Sequence, residues 1–155
     1  MGKVKAAGTF IVRKDDKILI CHPTNHPVDF FSIPKGKIEE KETILDAALR
    51  ETEEEANIDL KNLVGFESRY LGNITYRSKT KELFGFLFNE RPDSEINWDD
   101  IDIKCNSKVS DDKGDFYEMD GFKWVTLDEA MELLHEAQAK FIPKIKIILN
   151  LRKIK

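Results

Sequence analysis

The chain has 155 residues and a formal net charge of −4, with 41% hydrophobic and 35% charged residues. This length predicts one domain, spanning residues 1–155, with enough apolar side chains to fill a core. The acidic balance argues against a stable nucleic-acid complex, because such proteins usually carry a basic excess. Two cysteines are too few for a disulfide framework. No apolar run approaches the roughly 20 residues that cross a membrane, so we expect a cytoplasmic protein without a membrane partner.

The N-terminal part of the sequence is typical of two strands followed by a loop. The stretch AGTFIVRKDDKILICHP has the pattern of two strands joined by a short turn. In the next stretch, TNHPVDFFSIPKGK, the residues Pro27, Pro34 and Gly36 indicate a loop. We interpret His22 and His26 as ordinary loop residues, because the nearby prolines disfavour the helix on which an i, i+4 histidine pair binds metal.

A helix is predicted next. Thr43 is its expected N-cap, with Asp46 three residues later in a capping-box arrangement. The helix is expected to end near Asn57. Its apolar positions recur at helical spacing and predict a buried stripe. The stripe comprises Leu45, Leu49, Thr52 and Ala56.

The second half of the sequence predicts three more strands and two helices. The stretches LVGFESRYLGNITY, TKELFGFLFNE and YEMDGFKWVTL indicate strands. Residues 91–115, rich in Asp, Asn, Ser and Lys, predict an irregular insertion with a short strand at IDIKC. LDEAMELLHEAQAK predicts an amphipathic helix, and residues 141–155 predict a basic C-terminal helix. The order β-β-loop-α-β-β-β-α-α favours an α/β (α+β) fold, with a mixed sheet covered by helices on both faces.

Four glutamates crowd the end of the first helix, in RETEEEANI. At ~100° per residue, Glu51, Glu54 and Glu55 share one face, whereas Glu53 points away. Like charges at this spacing repel, and a face selected for solubility alone usually carries Lys four residues after Glu. Glu51 is instead followed there by Glu55. A solvated charged face is one interpretation, but three carboxylates on one face are better explained by a hard cation such as Mg²⁺, which takes oxygen ligands.

The sequence around these glutamates resembles the signature box of the Nudix hydrolases. GKIEEKETILDAALRETEEEANI matches its spacing of Gly, five residues, Glu, seven residues, Arg-Glu, apolar, any, Glu-Glu, any, Gly, apolar. Two positions depart from the box. Thr52 stands where the family usually has an aliphatic residue, and we expect its methyl group to serve the buried stripe. Asn57 replaces the second glycine, and Asn is the next most tolerant residue at a left-handed helix end.

The resemblance implies an α/β/α sandwich and the hydrolysis of a nucleoside diphosphate linked to another group. It implies that Glu51, Glu54 and Glu55 hold a divalent metal, Mg²⁺ with Mn²⁺ as a substitute, and that Glu54 or Glu55 acts as the general base. The loop glycine Gly36 matches the position whose backbone approaches the metal. Arg50 matches the residue that, paired with Glu42, orients the carboxylates in this family.

A further glutamate outside the box often contributes to catalysis in this family, and Glu118 is the candidate here. The segment YEMDGFKWVTLDEA resembles the strand and helix that close the fold in diadenosine tetraphosphate hydrolases, with Glu118 six residues before a Trp. The alternative is a surface acid in an acidic insertion. We expect Glu118 to face the box glutamates.

The substrate is suggested by the residues around the box. FSIPKGKIEE resembles the Pro-Lys-Gly entry of dinucleoside polyphosphate and diphosphoinositol hydrolases, in which Lys35 reaches a phosphate. Tyr76 and the following RSKTK resemble the substrate-binding segment of the first of these groups. Lys79 and Lys81 are expected to point to the same side, as positions i and i+2 of a strand do. A solvated turn is the alternative for these lysines.

The resemblance therefore implies a nucleotide substrate, first of all a dinucleoside polyphosphate such as Ap4A, and a monomeric or homodimeric enzyme. The alternatives are other Nudix activities, on an NTP, an RNA 5′ end, ADP-ribose or an inositol pyrophosphate. A non-catalytic nucleotide-binding module is a further alternative. Binding modules usually lose box carboxylates, and this chain retains them all, which favours an enzyme.

Overall fold

A computed structural model describes residues 2–154 of the chain. A six-stranded mixed sheet lies between helices that pack on both of its faces, as the sequence predicts. The strands are β1 (Val4–Val12), β2 (Ile18–Pro23), β3 (Lys35–Lys37), β4 (Phe66–Thr75), β5 (Lys81–Glu90), β6 (Lys108–Asp111), β7 (Gly114–Tyr117) and β8 (Met119–Val125). The helices are α1 (Ile44–Ala56), α2 (Leu127–Leu133), α3 (Glu136–Ala139) and α4 (Ile142–Ile154).

The sheet is organised around β1. Its order is β4-β5-β1-β2-β8, with the short β3 pairing to β1, and β6 and β7 form a separate hairpin. β1 runs parallel to β5, whereas its pairings with β2 and β3 are antiparallel. The pairing of β1 with β3 sets Lys35 opposite Gly8 and Gly36 opposite Ala7. The loop that enters the Nudix-like box is thereby attached to the central strand.

Alternating residues of β1 contact the two helical layers. Phe10 and Val12 belong to the larger core cluster, which also contains Ile142 of α4. Ala7 packs on the opposite face against Ala47 of α1. This period-two alternation is what a strand covered on both faces requires.

Within residues 2–154 no helix is long and apolar enough to cross a membrane.

The ends of α1 lie where local signals place them. Thr43 Oγ1 accepts a hydrogen bond of 3.0 Å from the Asp46 amide. Asn57 ends the helix in the left-handed conformation, with φ 59° and ψ 33°. The buried stripe, however, differs from the prediction, because Leu45 is 40% exposed. The helix instead turns its smallest side chains to the sheet. Its buried residues are Ala47, Ala48, Thr52, Glu55 and Ala56.

The helix expected over LDEAMELLHEAQAK is interrupted, and this prediction is wrong at its centre. α2 ends at Leu133, and α3 begins at Glu136. Between them the chain pairs with Phe31, whose N–H donates to Leu133 O (3.0 Å) and whose carbonyl accepts from the His135 N–H (3.1 Å). His135 then caps α3 through its Nδ1. A tertiary pairing therefore overrides the helical pattern of this stretch.

Residues 91–115 contain a short 3₁₀ turn at Trp98–Asp100 and most of the β6–β7 hairpin. The strand expected at IDIKC is wrong, since residues 101–105, all of them described, contain no strand. The segment lies instead at the C-terminal end of α1. There Lys104 N–H donates to Ala56 O (3.3 Å) and Asn106 N–H donates to Glu54 O (2.7 Å). Backbone donors satisfied by a helix end are unavailable to a sheet, which explains the missing strand.

Candidate active site

Arg50 joins the acidic residues of the box into one network. Its Nε and Nη2 donate to the two carboxylate oxygens of Glu42, at 2.7 and 3.0 Å. Its Nη1 donates to Glu51 (2.8 Å) and to Glu54 (3.1 Å). Nη2 also donates to the carbonyl of Lys37, at 2.9 Å. One planar guanidinium thus ties the loop before α1 to the carboxylates on its surface, which is a geometry that suits Arg and not Lys.

Gly36 leaves room for the Glu51 carboxylate. A Cβ at position 36 would lie 2.0 Å from Glu51 Cδ, so any other residue there would collide with the carboxylate. Burial raises the pKa of Glu51 to about 7, although Arg50 opposes the shift and Glu54 and Glu118 add to it. Glu51 is therefore a packed acidic group whose position depends on the glycine.

Glu55 is the most enclosed of the three glutamates, with 3% of its surface exposed. Its Oε1 accepts a hydrogen bond of 3.1 Å from the Lys35 amide. Burial raises the pKa of Glu55 to about 9, despite the opposing amide and ammonium of Lys35, and Glu118 raises it further. A carboxyl group with this pKa is a functional-site candidate.

Glu118 lies between β7 and β8, next to the box glutamates although it is far from them in sequence. Its effect on the pKa values of Glu51 and Glu55 reflects this proximity. Ser107 Oγ donates to its Oε1 at 2.8 Å, and the Glu118 N–H donates to Ser107 O at 2.9 Å. Glu118 and Glu55 both line one cavity. The structure thus brings together the box and the glutamate selected outside it.

This cavity has a volume of about 760 Å³, which lies within the range of small-molecule sites. Lys35 and Lys81 both line it. The charge of Lys35, followed by burial, lowers the pKa of Lys81. In the described part of the chain neither ammonium forms an ion pair. Two like charges in one cavity, neither of them held in an ion pair, favour an anionic ligand.

Tyr76 also lines the cavity, and its ring stacks on His135 with centroids 4.7 Å apart. Lys81 Nζ lies 5.3 Å from the centroid of the Tyr76 ring. The Tyr76 hydroxyl oxygen is buried and has no hydrogen-bond partner among residues 2–154. A buried hydroxyl is costly to leave unpaired, so this group needs a partner that the described residues do not supply.

Lys79 is the one predicted substrate-binding residue that does not line the cavity. It occupies the turn before β5 with a φ of 62°, and its side chain is exposed. The alternation that would place Lys79 and Lys81 on the same side requires extended backbone, and a left-handed residue breaks it.

His135 is a cavity residue that sequence reasoning missed. It was hidden inside an apparently continuous helical pattern.

The carboxylates of the box are candidate ligands for a divalent cation. Within residues 2–154 no three His, Cys, Asp or Glu side chains form a ready metal site. Glu51 and Glu54 face Arg50, and Glu55 faces the Lys35 amide. The donors are nevertheless carboxylate oxygens on one helix face, two of them with raised pKa values, and the absence of a Cβ at Gly36 lets the Glu51 carboxylate lie against the loop backbone. This set fits a hard divalent cation.

Comparison with known proteins agrees with the fold and the box. An RNA pyrophosphohydrolase from Pelagibacter ubique (strain HTCC1062) is 26% identical over 148 residues, 92% of this chain and 91% of the relative. The asymmetrical bis(5′-nucleosyl)-tetraphosphatase of Rattus norvegicus is 30% identical over 108 residues, 69% of this chain and 63% of the relative. A crystal structure of a C. elegans Ap4A hydrolase is similar with a TM-score of 0.63 and 25% identity, covering 95% of this chain and 98% of that chain.

Residues 2–145 match the NUDIX domain family, which is most of the chain. The match includes all the glutamates that Arg50 and Gly36 organise. The chain therefore belongs to the Nudix family, as a Nudix pyrophosphohydrolase.

Proposed function

We propose that this enzyme is a Mg²⁺-dependent hydrolase of dinucleoside polyphosphates such as Ap4A. The observation that carries the proposal is the pair Lys35 and Lys81, which face one cavity beside Glu55. A long polyphosphate has charges beyond the two phosphates of the reacting bond, and these charges need basic groups next to an acidic site. The rat relative and the C. elegans structure are named for this substrate class.

Nudix hydrolases generally use a divalent metal, and Glu51, Glu54 and Glu55 would hold it here, with the backbone of Gly36 alongside. When bound, such an ion supplies charge neutralisation at the phosphates and a lowered pKa for a bound water. Mg²⁺ is the proposed ion, with Mn²⁺ as a substitute. Arg50 keeps the carboxylates in place through its bonds to Glu51 and Glu54.

Proton transfer from the attacking water needs a carboxylate within hydrogen-bond reach of it. Glu54, Glu55 and Glu118 are the candidates for this general base. Glu55 and Glu118 line the cavity together, and a bound cation would keep Glu55 in the ionised form that a base requires, against the burial that raises its pKa in the metal-free protein. Glu54 is more exposed, with 45% of its side chain accessible.

The part of the cavity that the lysines line would bind the distal phosphates. Lys35 and Lys81 supply the positive charge there. The Tyr76 hydroxyl, which is buried and has no partner among the described residues, would donate a hydrogen bond to a phosphate oxygen on substrate binding. Stacking on His135 fixes the ring of Tyr76. A substrate too short to reach these groups would lose their contribution.

The test compares kcat/KM for Ap4A and for the shorter ADP-ribose in Lys81→Ala. Lys79→Ala is the matched control, because Lys79 is two residues away and does not line the cavity. We expect Lys81→Ala to lose more activity on Ap4A than on ADP-ribose and Lys79→Ala to resemble the wild type. Equal losses on both substrates in Lys81→Ala would contradict the choice of dinucleoside polyphosphates.

Removal of pyrophosphate from an RNA 5′ end is the second candidate function. It is favoured by the Pelagibacter relative, because the similarity extends over 92% of this chain. A short RNA with a 5′-triphosphate distinguishes the two candidates when its turnover is measured beside that of Ap4A. An RNA hydrolase would prefer the RNA by kcat/KM. A protein that binds both without Mg²⁺-dependent turnover would be a nucleotide-binding module.

A further inference from the structure

We propose that Asn57, Asn106 and Ser107 are positioning residues, which hold the Glu118 carboxylate beside the box glutamates. This inference rests on the proposed function, because it concerns the same site. It assigns a role to residues 102–107, here called the clamp segment. In space this segment lies against the C-terminal end of α1, and in sequence it directly precedes the β6–β7 hairpin.

The first step is the side chain of Asn57. Its Nδ2 donates to the carbonyl of Asp102 at 2.9 Å, and its Oδ1 accepts from Asn106 Nδ2 at 2.8 Å. The Nudix box has glycine at this position, and glycine has no side chain to form either bond. The departure from the box is therefore more than a tolerated helix end, since it attaches the clamp segment to α1.

The second step is the contact between Asn106 and the helix backbone. The Asn106 N–H donates to Glu54 O at 2.7 Å, and its Nδ2 also donates to Glu53 O at 3.1 Å. The Glu53 carbonyl already accepts from the Asn57 N–H, whereas the Glu54 carbonyl is one of the last in the helix and would otherwise need water. The two bonds from Asn106 also fix the clamp segment relative to Glu55, whose immediate neighbour is Glu54.

The third step is Ser107, which directly follows Asn106. Its hydroxyl donates to Glu118 Oε1 at 2.8 Å, and its carbonyl accepts from the Glu118 N–H at 2.9 Å. Cys105, which precedes Asn106 in sequence, is 7% exposed and packs in a buried cluster with Cys21. The path from the helix end to the Glu118 carboxylate thus passes through only two consecutive residues, Asn106 and Ser107, with hydrogen bonds at both ends.

Kinetics separate positioning from a merely structural role. We expect Ser107→Ala to lower kcat roughly 10- to 100-fold, because small misplacements of a reacting group are costly. KM and the melting temperature should change little. Ser107→Thr should restore activity, because it keeps the hydroxyl. In a Glu118→Gln background, Ser107→Ala should have no further effect on kcat, and a multiplied loss would overturn the proposal.

Hydrogen exchange of the Glu118 amide in the metal-free protein gives a readout that does not depend on activity. Asn57→Gly, which restores the box residue, and Asn106→Ala should both speed this exchange. Asn62→Ala is the control, because Asn62 is exposed and its Nδ2 bonds Asp59 at 2.7 Å, outside the site. Unchanged exchange in Asn57→Gly and Asn106→Ala would overturn the positioning role.

The two measurements keep the two proposals apart. Absence of Mg²⁺-dependent hydrolysis in the wild type would refute the proposed function, and the exchange of the Glu118 amide would still decide whether the clamp segment holds it. Wild-type hydrolysis with unchanged exchange would leave the function intact and refute the positioning role. Faster exchange together with the non-additive kcat of Ser107→Ala and Glu118→Gln supports both.

Discussion

Thr9 and Thr52 meet through their hydroxyls, with 2.7 Å between the two Oγ1 atoms, in the buried contact between β1 and α1. Thr52 Oγ1 also lies 2.7 Å from the carbonyl of Ala48, which accepts but cannot donate. The Thr52 proton therefore goes to Ala48, and the proton between the two threonines comes from Thr9. Thr52 stands at a usually aliphatic position of the Nudix box, where the sequence indicated a role only for its methyl group.

Because Thr9 donates this hydrogen bond and Thr52 accepts it, replacing the two threonines should change the free energy of unfolding by different amounts. Thr52→Val leaves the buried Thr9 donor without an acceptor and should cost about 1–3 kcal/mol. Thr9→Val should cost less, because Thr52 keeps its bond to Ala48. The double variant should be no less stable than Thr9→Val alone. Urea unfolding measures all three, and additive losses in the double variant would show that the hydroxyl pair is not the cause.

Local signals were sufficient to predict the helix that carries the box. Thr43 and Asn57 lie at its two ends, where a capping residue and a left-handed residue are expected. The residues that determine these helix ends lie next to the helix in sequence, so no knowledge of tertiary structure is needed. The approach of the Gly36 backbone to the box glutamates, by contrast, was implied only by the resemblance to the Nudix box.

Features that depend on distant segments were beyond the sequence patterns. Lys79 and Lys81 look alike in sequence, but a left-handed turn at Lys79 separates them. Asn106 belongs to a segment without periodicity, and its importance comes from carbonyls about 50 positions earlier, at Glu53 and Glu54. His135 caps α3 only because Phe31 pairs with Leu133 and His135 and so interrupts the helical pattern.

Glu55→Gln is expected to abolish most catalysis without unfolding the protein. The change replaces a carboxylate that lines the cavity with a neutral amide. Burial already disfavours the charged form of Glu55, so the fold should tolerate the loss of the charge. We expect kcat to fall roughly 10²- to 10⁴-fold at saturating Mg²⁺. The metal-free melting temperature at pH 8 should be unchanged or higher, because glutamine is neutral.

Glu53→Gln is the control for this change, because Glu53 lies on the same helix with an exposed side chain. It should keep kcat within about twofold of the wild type, as surface substitutions generally do. Wild-type turnover in Glu55→Gln, or equal losses in both variants, would contradict the role given to Glu55.

Two glycine substitutions should separate activity from stability. In Gly36→Ala, the new Cβ would meet the Glu51 carboxylate, which is the mobile end of a side chain and can move away. We expect the melting temperature to change little and kcat to fall. In Gly8→Ala, the Cβ would lie 2.6 Å from the backbone oxygen of Pro34, which cannot move without the strand.

Gly8→Ala should therefore lower the melting temperature more than Gly36→Ala does. Thermal unfolding and Mg²⁺-dependent turnover, measured on both variants, give the comparison. If Gly36→Ala retains full kcat, Glu51 does not need the position that the glycine leaves open.

The pH dependence of metal stabilisation follows from Glu51 and Glu55. Their pKa values in the folded protein, about 7 and about 9, lie above the ordinary value of 4.5. Between pH 4.5 and 9 the folded state consequently binds more protons than the unfolded state. The stability of the metal-free protein should then fall as the pH rises through this range.

Mg²⁺ requires the ionised carboxylates, so it competes with these protons and binds more tightly as the pH rises. A ligand that binds only the folded state raises the melting temperature in proportion to the logarithm of its concentration over Kd. We therefore expect the increase in melting temperature on adding Mg²⁺ to be larger at pH 9 than at pH 6. NaCl of equal ionic strength corrects for screening, and the Glu51→Gln/Glu55→Gln double variant should lose the pH dependence. A Mg²⁺ effect that is equal at both pH values, or matched by NaCl, would mean that these two carboxylates do not hold the ion.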